Sequence, residues 1–227
     1  MYLSSNNDKL RNTALWIATN HPEWSGEMIT YLKNQFKDSI YPVQEHQLKN
    51  ILVSFAKDPA MQRFISGEMN NANDAKKMLL LSAIAESPLK QFPASWTNTI
   101  SKLLAGENGA DIKARAIEIV RMRSITGIDK QLENIANNNT YPVPLRIQAI
   151  AALAKPGKKL ADTHFRFLTS QITGGGEASV KQQAATALEG ATLSDAQLQH
   201  LAENLSKTEP FILPRIVPVF AGNNSPE

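Results

Sequence analysis

LWIATNHPEWSGEM, residues 15–28, holds one histidine, two glutamates and two tryptophans within a short span. As chemistry it would be a metal or acid–base site. As structure it is the corner between two helices, and every residue type then has a role. The apolar run Ala14, Leu15, Ile17, Ala18 gives a first helix its buried face and ends at Asn20-His21. Pro22 lacks the amide hydrogen needed to continue that helix. Trp24 packs over the corner. Ser25 is expected to cap a second helix, with Glu27 in its first turn, where the helix dipole favours a carboxylate. A metal would need further ligands beside His21 and Glu23, and neither an HExxH spacing nor a second histidine lies nearby. The corner reading is therefore adopted.

Working outward, the first helix repeats along the chain. LRNTALWIA (10–18), LKNILVSFA (48–56), AKKMLLLSAIA (75–85), IKARAIEIV (112–120), LRIQAIAAL (145–153) and VKQQAATAL (180–188) share a polar, mostly basic front and a dense apolar run. Arg11, Lys49, Lys77, Arg115, Arg146 and Gln182 mark them at separations of 28 to 38 residues. That length suits a helix–turn–helix unit.

Between these runs lie amphipathic stripes at helical spacing: Ile29, Leu32, Phe36; Trp96, Ile100, Leu103, Leu104; Phe165, Leu168, Ile172; and Leu198, Leu201, Ala202, Leu205. Residues 145–153 are apolar nearly all round, as a helix sandwiched between neighbours would be. Asp58-Pro59 reads as an N-cap followed by proline at the first helical position. Ser194 and Gln197 have capping-box spacing, and Pro142 and Pro144 stand where a helix can start. ENG (107–109), ANNNT (136–140), KPGKK (155–159) and TGGGE (173–177) break the periodicity. In FILPRIVPVFAG (211–222), Pro214 and Pro218 argue against a regular helix throughout and leave room for a short last helix. The final NNSPE is expected to fray. No segment alternates long enough for a sheet. The expected fold is all-α, a right-handed α-α superhelix of HEAT/armadillo type with about six helical hairpins, in one domain over residues 1–227.

Composition narrows the function classes. With 42% hydrophobic and 20% charged residues the chain can build a core. It has no cysteine, which excludes disulfides, thiolate metal sites and CxxCH haem attachment within it. No run of 18 apolar residues suggests a membrane span, and MYLSSNNDKLRN has no signal-peptide pattern. A net charge of +3 is too slight to argue for nucleic acid. His46, His164 and His200 are scattered. TGGGE lacks the Lys-Ser/Thr of a phosphate loop, and no GxSxG elbow is present. No catalytic residue, metal site or cofactor is expected. The one recurring chemical feature is the basic residue near the front of the apolar helices. Lys49, Lys77, Arg115, Arg146 and Lys181, extended by Arg121 and Arg123, are the candidate concave-face ridge for an acidic partner. The competing structural reading pairs each of them with an Asp or Glu of an adjacent unit or with helix-end carbonyls.

The Leu15-Trp16-x-x-x-x-His21-Pro22-Glu23-Trp24 stretch, with PLRIQAIAALA downstream, resembles the HEAT-like region of large bacterial multidomain proteins. There such repeats lie between a sugar-dehydrogenase-like propeller and a C-terminal c-type haem-binding domain. The resemblance implies a fragment of a periplasmic or otherwise exported redox protein, serving as a spacer or docking module between its domains; the chain itself is expected to be a monomer. No propeller motif precedes the repeats and no CxxCH follows them, so no catalytic residue carries over. The rival is a HEAT-like nucleic-acid-binding protein or DNA glycosylase, which would want a strongly basic concave face with aromatic residues in it.

Overall fold

The computed structural model describes residues 2–5, 7–37 and 42–222. Among the described residues the chain is all-α, with no strand. It forms two compact units. The first contains α1 (Asp8–Thr19), α2 (Ser25–Gln35), α3 (Pro42–Ser54), α4 (Pro59–Met69), α5 (Asp74–Glu86) and α6 (Ala94–Ala105), together with Met122–Ile125. The second contains Asn108–Arg121 and everything from Thr126 on. Its helices are α7 (Ala110–Met122, all but the last residue), α8 (Asp129–Asn137), α9 (Val143–Leu153), α10 (Asp162–Thr173), α11 (Ala178–Glu189), α12 (Asp195–Glu203) and α13 (Leu213–Gly222).

Much of each unit's core comes from packing a helix on the next but one. In the first, α1, α3 and α5 form one row and α2, α4 and α6 the other. In the second, α9, α11 and α13 stack in the same manner, α10 packs on α12, and the pairs α8/α9 and α10/α11 join the rows. The apolar runs explain this order. Leu79, Leu80, Leu81, Ala83, Ile84 and Ala85 are all buried, which a helix can achieve only with neighbours on several sides. In α9, Leu145, Ile147, Ala149, Ile150 and Leu153 are buried, and α8 and α11 supply the two covers. Trp96, Ile100, Leu103 and Leu104 form the buried stripe of α6.

Punctuation fixes the ends. Asp58 Oδ1 accepts the Ala60 amide hydrogen at 2.7 Å and Pro59 opens α4. Both arms of the capping box at α12 form: Gln197 N donates to Ser194 Oγ at 3.3 Å and Ser194 N to Gln197 Oε1 at 3.0 Å. In KPGKK, Pro156 and Gly157 (φ +76°) carry the signature of a type II turn closing the Lys155–Lys158 bridge. Of the three glycines in TGGGE, Gly174 alone stands at a close approach: a Cβ there would lie 2.7 Å from the Ser170 carbonyl oxygen.

Three local expectations are corrected. Ser25 is not a cap. A 3-10 turn over Pro22–Trp24 runs directly into α2, so Ser25 is already helical and Trp24 takes the cap position without a side-chain bond. The stripe Leu198, Leu201, Ala202, Leu205 does not hold either. Of that stripe Leu201 alone is buried: α12 ends at Glu203, Ala202 is exposed, and Gln197 joins Leu201 on the inner side. In the tail, α13 continues through Pro218. The hydrogen bond lost there would have gone to the carbonyl of Pro214 in the first turn, so one missing bond near an end does not break the helix. Residues 223–227, expected to fray, lie outside the described residues.

Ser124, in the turn after α7, has φ +50°. A side chain in the left-handed region costs about 1 kcal/mol, part of which glycine returns as unfolded-chain entropy. Ser124→Gly is expected to stabilise the chain by about 0.5 kcal/mol in denaturant titration. An unchanged or lower midpoint would show that the turn is relaxed with serine.

Candidate functional site

The candidate ridge consists of basic residues on five helices and one turn. A long cation near the front of one helix can reach the C-terminal end of an antiparallel neighbour, where carbonyls lack partners and the dipole is negative. Arg146, in the first turn of α9, has that geometry, and Arg123, in the turn after α7, reaches a helix end from a loop. In the first unit, Arg123 donates to the carbonyls of Ala85 at 2.7 Å, Ser87 at 2.5 Å and Leu89 at 3.1 Å, closing the end of α5. In the second, Arg146 Nε donates to the Ala136 carbonyl near the end of α8 at 2.9 Å, and its guanidinium lies 4.1 Å from the centroid of the Phe167 ring.

The others meet carboxylates. Lys49 Nζ is 2.9 Å from Glu86 Oε1 at the end of α5. Lys77 is 3.8 Å from Asp74 and Arg115 2.6 Å from Glu118, each one turn away on its own helix. Lys181 is buried and pairs with Glu209. Arg121 is exposed in the last turn of α7. The seven residues are divided between the units, and no two share one of these partners. Six of them therefore make local contacts: Lys49, Arg123, Arg146 and Lys181 reach carboxylates or carbonyls outside their own helix, as the structural reading foresaw, whereas Lys77 and Arg115 pair within their own helices, which it did not. Surface pairs within one helix contribute little, a few tenths of a kcal/mol, whereas the carbonyl clamps satisfy groups that nothing else in the turn satisfies.

The sequence did not single out two further cations. Lys76, beside Lys77, donates to the Phe36 carbonyl at 2.9 Å and stands 4.9 Å from the centroid of the Phe36 ring. Lys113, two positions before Arg115, is completely buried, with its ammonium 5.4 Å from the centroid of the Tyr141 ring. Adjacent lysines look alike in a repeat alignment. The alignment alone does not say which lysine of a pair reaches across to another helix, since that depends on helical phase at 100° per residue.

At the opening corner, His21 Nδ1 is 2.7 Å from Glu23 Oε1 and its ring stacks on Trp24 at 4.3 Å. The hydrogen bond from His21 holds the Glu23 carboxyl below its ordinary value. This cluster ties down the α1–α2 turn. Among the described residues no three His, Asp or Glu side chains converge on a point that would hold a metal ion.

His164 is buried on α10, with Nε2 3.2 Å from Asn137 Oδ1. Burial pushes its pKa below the ordinary 6.5; Glu133 opposes the shift and Lys158 adds to it. Below pH 6.5 the unfolded chain therefore binds a proton that the folded chain resists, so stability present at neutral pH is lost as pH falls toward the lower folded value. Thermal unfolding between about pH 7.5 and about pH 5.5 should show this loss, and His164→Gln should flatten the profile over that window. An equally steep profile in the variant would assign the loss to other groups.

The chain matches no family model, no curated protein and no solved structure.

Proposed function

We propose that the chain is a non-catalytic helical-repeat scaffold. In this reading it is one HEAT-like right-handed superhelix of about six hairpins over residues 1–227. Its partners are proteins or the neighbouring domains of a larger exported redox protein, as the LW…HPEW resemblance implies. One observation carries the binding role. On α1, Leu15 and Ala18 are buried, while Leu10, Ile17 and Trp16 are exposed, Trp16 by 69%. Scattered apolar residues need no explanation, but a tryptophan, an isoleucine and a leucine on the outer side of one terminal helix do. Terminal helices of repeat stacks that face water carry polar outer sides. In the second unit, Phe211 before α13 and Val217 on it are exposed as well. The cations of the ridge make internal contacts, so this reading places partner contact on the apolar faces.

The reading frame flanking the chain tests the interdomain part. A propeller upstream and a CxxCH domain downstream support it; stop codons at both ends overturn it. The surface itself is tested with those flanking polypeptides. Binding to the intact chain should blue-shift tryptophan emission, and Trp16→Glu with Ile17→Lys should weaken it by about a hundredfold, as loss of a central aromatic anchor does. Equal binding by the double variant would move the contact away from α1.

A further inference from the structure

We propose that the groove between α10 and α12 is a binding site for a small hydroxylated anion, with a carboxylate or phosphate at one end and hydroxyls at the other. The groove encloses about 250 Å³, just under the usual range for drug-sized ligands and enough for a single sugar-sized molecule. Its floor is apolar, formed by the buried Ile172 and Leu201. Arg166 and His200 line it from opposite helices, and no Asp or Glu does.

The remaining polar groups define what the anion must carry. Four hydroxyls line the groove, those of Thr169, Ser170, Thr173 and Thr208. Each already spends its hydrogen on a backbone carbonyl: Thr169 on Phe165 at 3.0 Å, Ser170 on Phe167 at 2.7 Å, Thr173 on Thr169 at 3.1 Å and Thr208 on Asn204 at 3.3 Å. What they have left to offer is lone pairs, so they accept rather than donate. Asn204 is committed too: its amide nitrogen donates to the His200 carbonyl at 2.8 Å and its Oδ1 receives Lys207 Nζ at 3.0 Å. Asn204 Nδ2 also approaches His200 Nε2 at 3.5 Å, which makes that ring nitrogen an acceptor, so the donors left for a ligand are the Arg166 guanidinium and His200 Nδ1. Planar guanidinium donors suit an oxyanion. The row of acceptors suits ligand hydroxyls, and the apolar floor suits the C–H face of a polyol. Inorganic phosphate would satisfy only the donors and a neutral sugar only the acceptors.

The test is a titration of the full chain with D-glucose 6-phosphate, D-gluconate, D-glucose and inorganic phosphate, followed by calorimetry and by the His200 ring resonances. At least one of the two hydroxylated anions should bind saturably and shift those resonances. It should bind about tenfold more tightly than glucose or inorganic phosphate, the worth of one further good polar contact. Binding by the phosphate arm alone identifies a phosphorylated polyol, and by the carboxylate arm alone a sugar acid. Arg166→Ala, at an exposed position, should weaken binding by about tenfold with the circular dichroism unchanged. Thr173→Val should weaken the hydroxylated anion and leave inorganic phosphate unaffected. No saturable binding by either anion, indifference to both substitutions, or inorganic phosphate or glucose binding as tightly would each overturn the proposal.

Discussion

Trp96→Ala should lower the unfolding free energy by about 3–5 kcal/mol, the range for emptying a buried aromatic site. Trp96 is 0% exposed on α6, where it faces α4. Its Nε1–H donates to the Gln62 carbonyl at 3.2 Å and its ring meets Phe92 edge-on at 5.7 Å. Truncation removes the largest side chain of this seam, leaves a cavity that two rigid helices cannot close, and strands one carbonyl contact. For a chain of this length the midpoint of thermal unfolding should fall by on the order of 10 °C. Trp96→Phe separates the causes. It keeps most of the apolar filling and loses the indole donor, so it should cost about 1–3 kcal/mol. Chemical denaturation followed by circular dichroism reads both. A loss below about 1 kcal/mol for the alanine variant would mean that the α4–α6 seam relaxes around the hole.

Trp96 also shows what the sequence made legible. Its stripe with Ile100, Leu103 and Leu104 has helical spacing, and all four are buried as that spacing implies. The same holds for Phe165, Leu168 and Ile172 on α10, and for the all-round burial of α9. These signals are strong because burial on one face repeats over several turns. The failures are local. Ser25 has the composition of a cap, yet the chain enters α2 through a 3-10 turn, and cap chemistry says nothing of the dihedrals that precede it. On α12 a glutamine joins Leu201 inside because its side chain donates to the Leu160 carbonyl and to Asp162, a role that hydrophobic spacing does not encode. The candidate ridge was half legible. Five of its residues, Lys49, Lys77, Arg115, Arg146 and Lys181, sit at repeating places in the alignment. Whether Arg146 faces a partner or the end of α8 depends on the lateral offset of two helices, which no pattern within one helix encodes. The α10–α12 groove left no trace for the same reason: Arg166 and His200 lie 34 residues apart, and only packing brings them to one opening.

That offset makes Arg123 the decisive residue of the ridge. Arg123→Met should cost about 2–4 kcal/mol, because hydrogen bonds from a charged donor are worth more than neutral ones and several are lost together. The guanidinium spans the carbonyls of Ala85, Ser87 and Leu89, and its bond to the Ser87 side chain, at 3.4 Å, adds a fourth contact. α5 ends here, and its last carbonyls have no helical amide to meet. Methionine keeps the aliphatic stem and supplies no donor. Arg123→Lys should recover little of the loss, since one ammonium cannot reach three oxygens held in a fan by the turn. Arg121→Glu is the contrast. That side chain is exposed two positions earlier, and its reversal should change stability by no more than about 0.5 kcal/mol. Amide exchange localises the effect: the last turn of α5 should lose protection in Arg123→Met before the rest of the first unit does. If the methionine variant is as stable as the parent, and that turn stays protected, the three carbonyls need no cation. Arg123 would then be available to a partner, and the ridge would return as a binding surface. If the turn frays, the arginine that extends the candidate ladder is instead a clasp that the fold requires, and charge alone is no guide to where this chain binds.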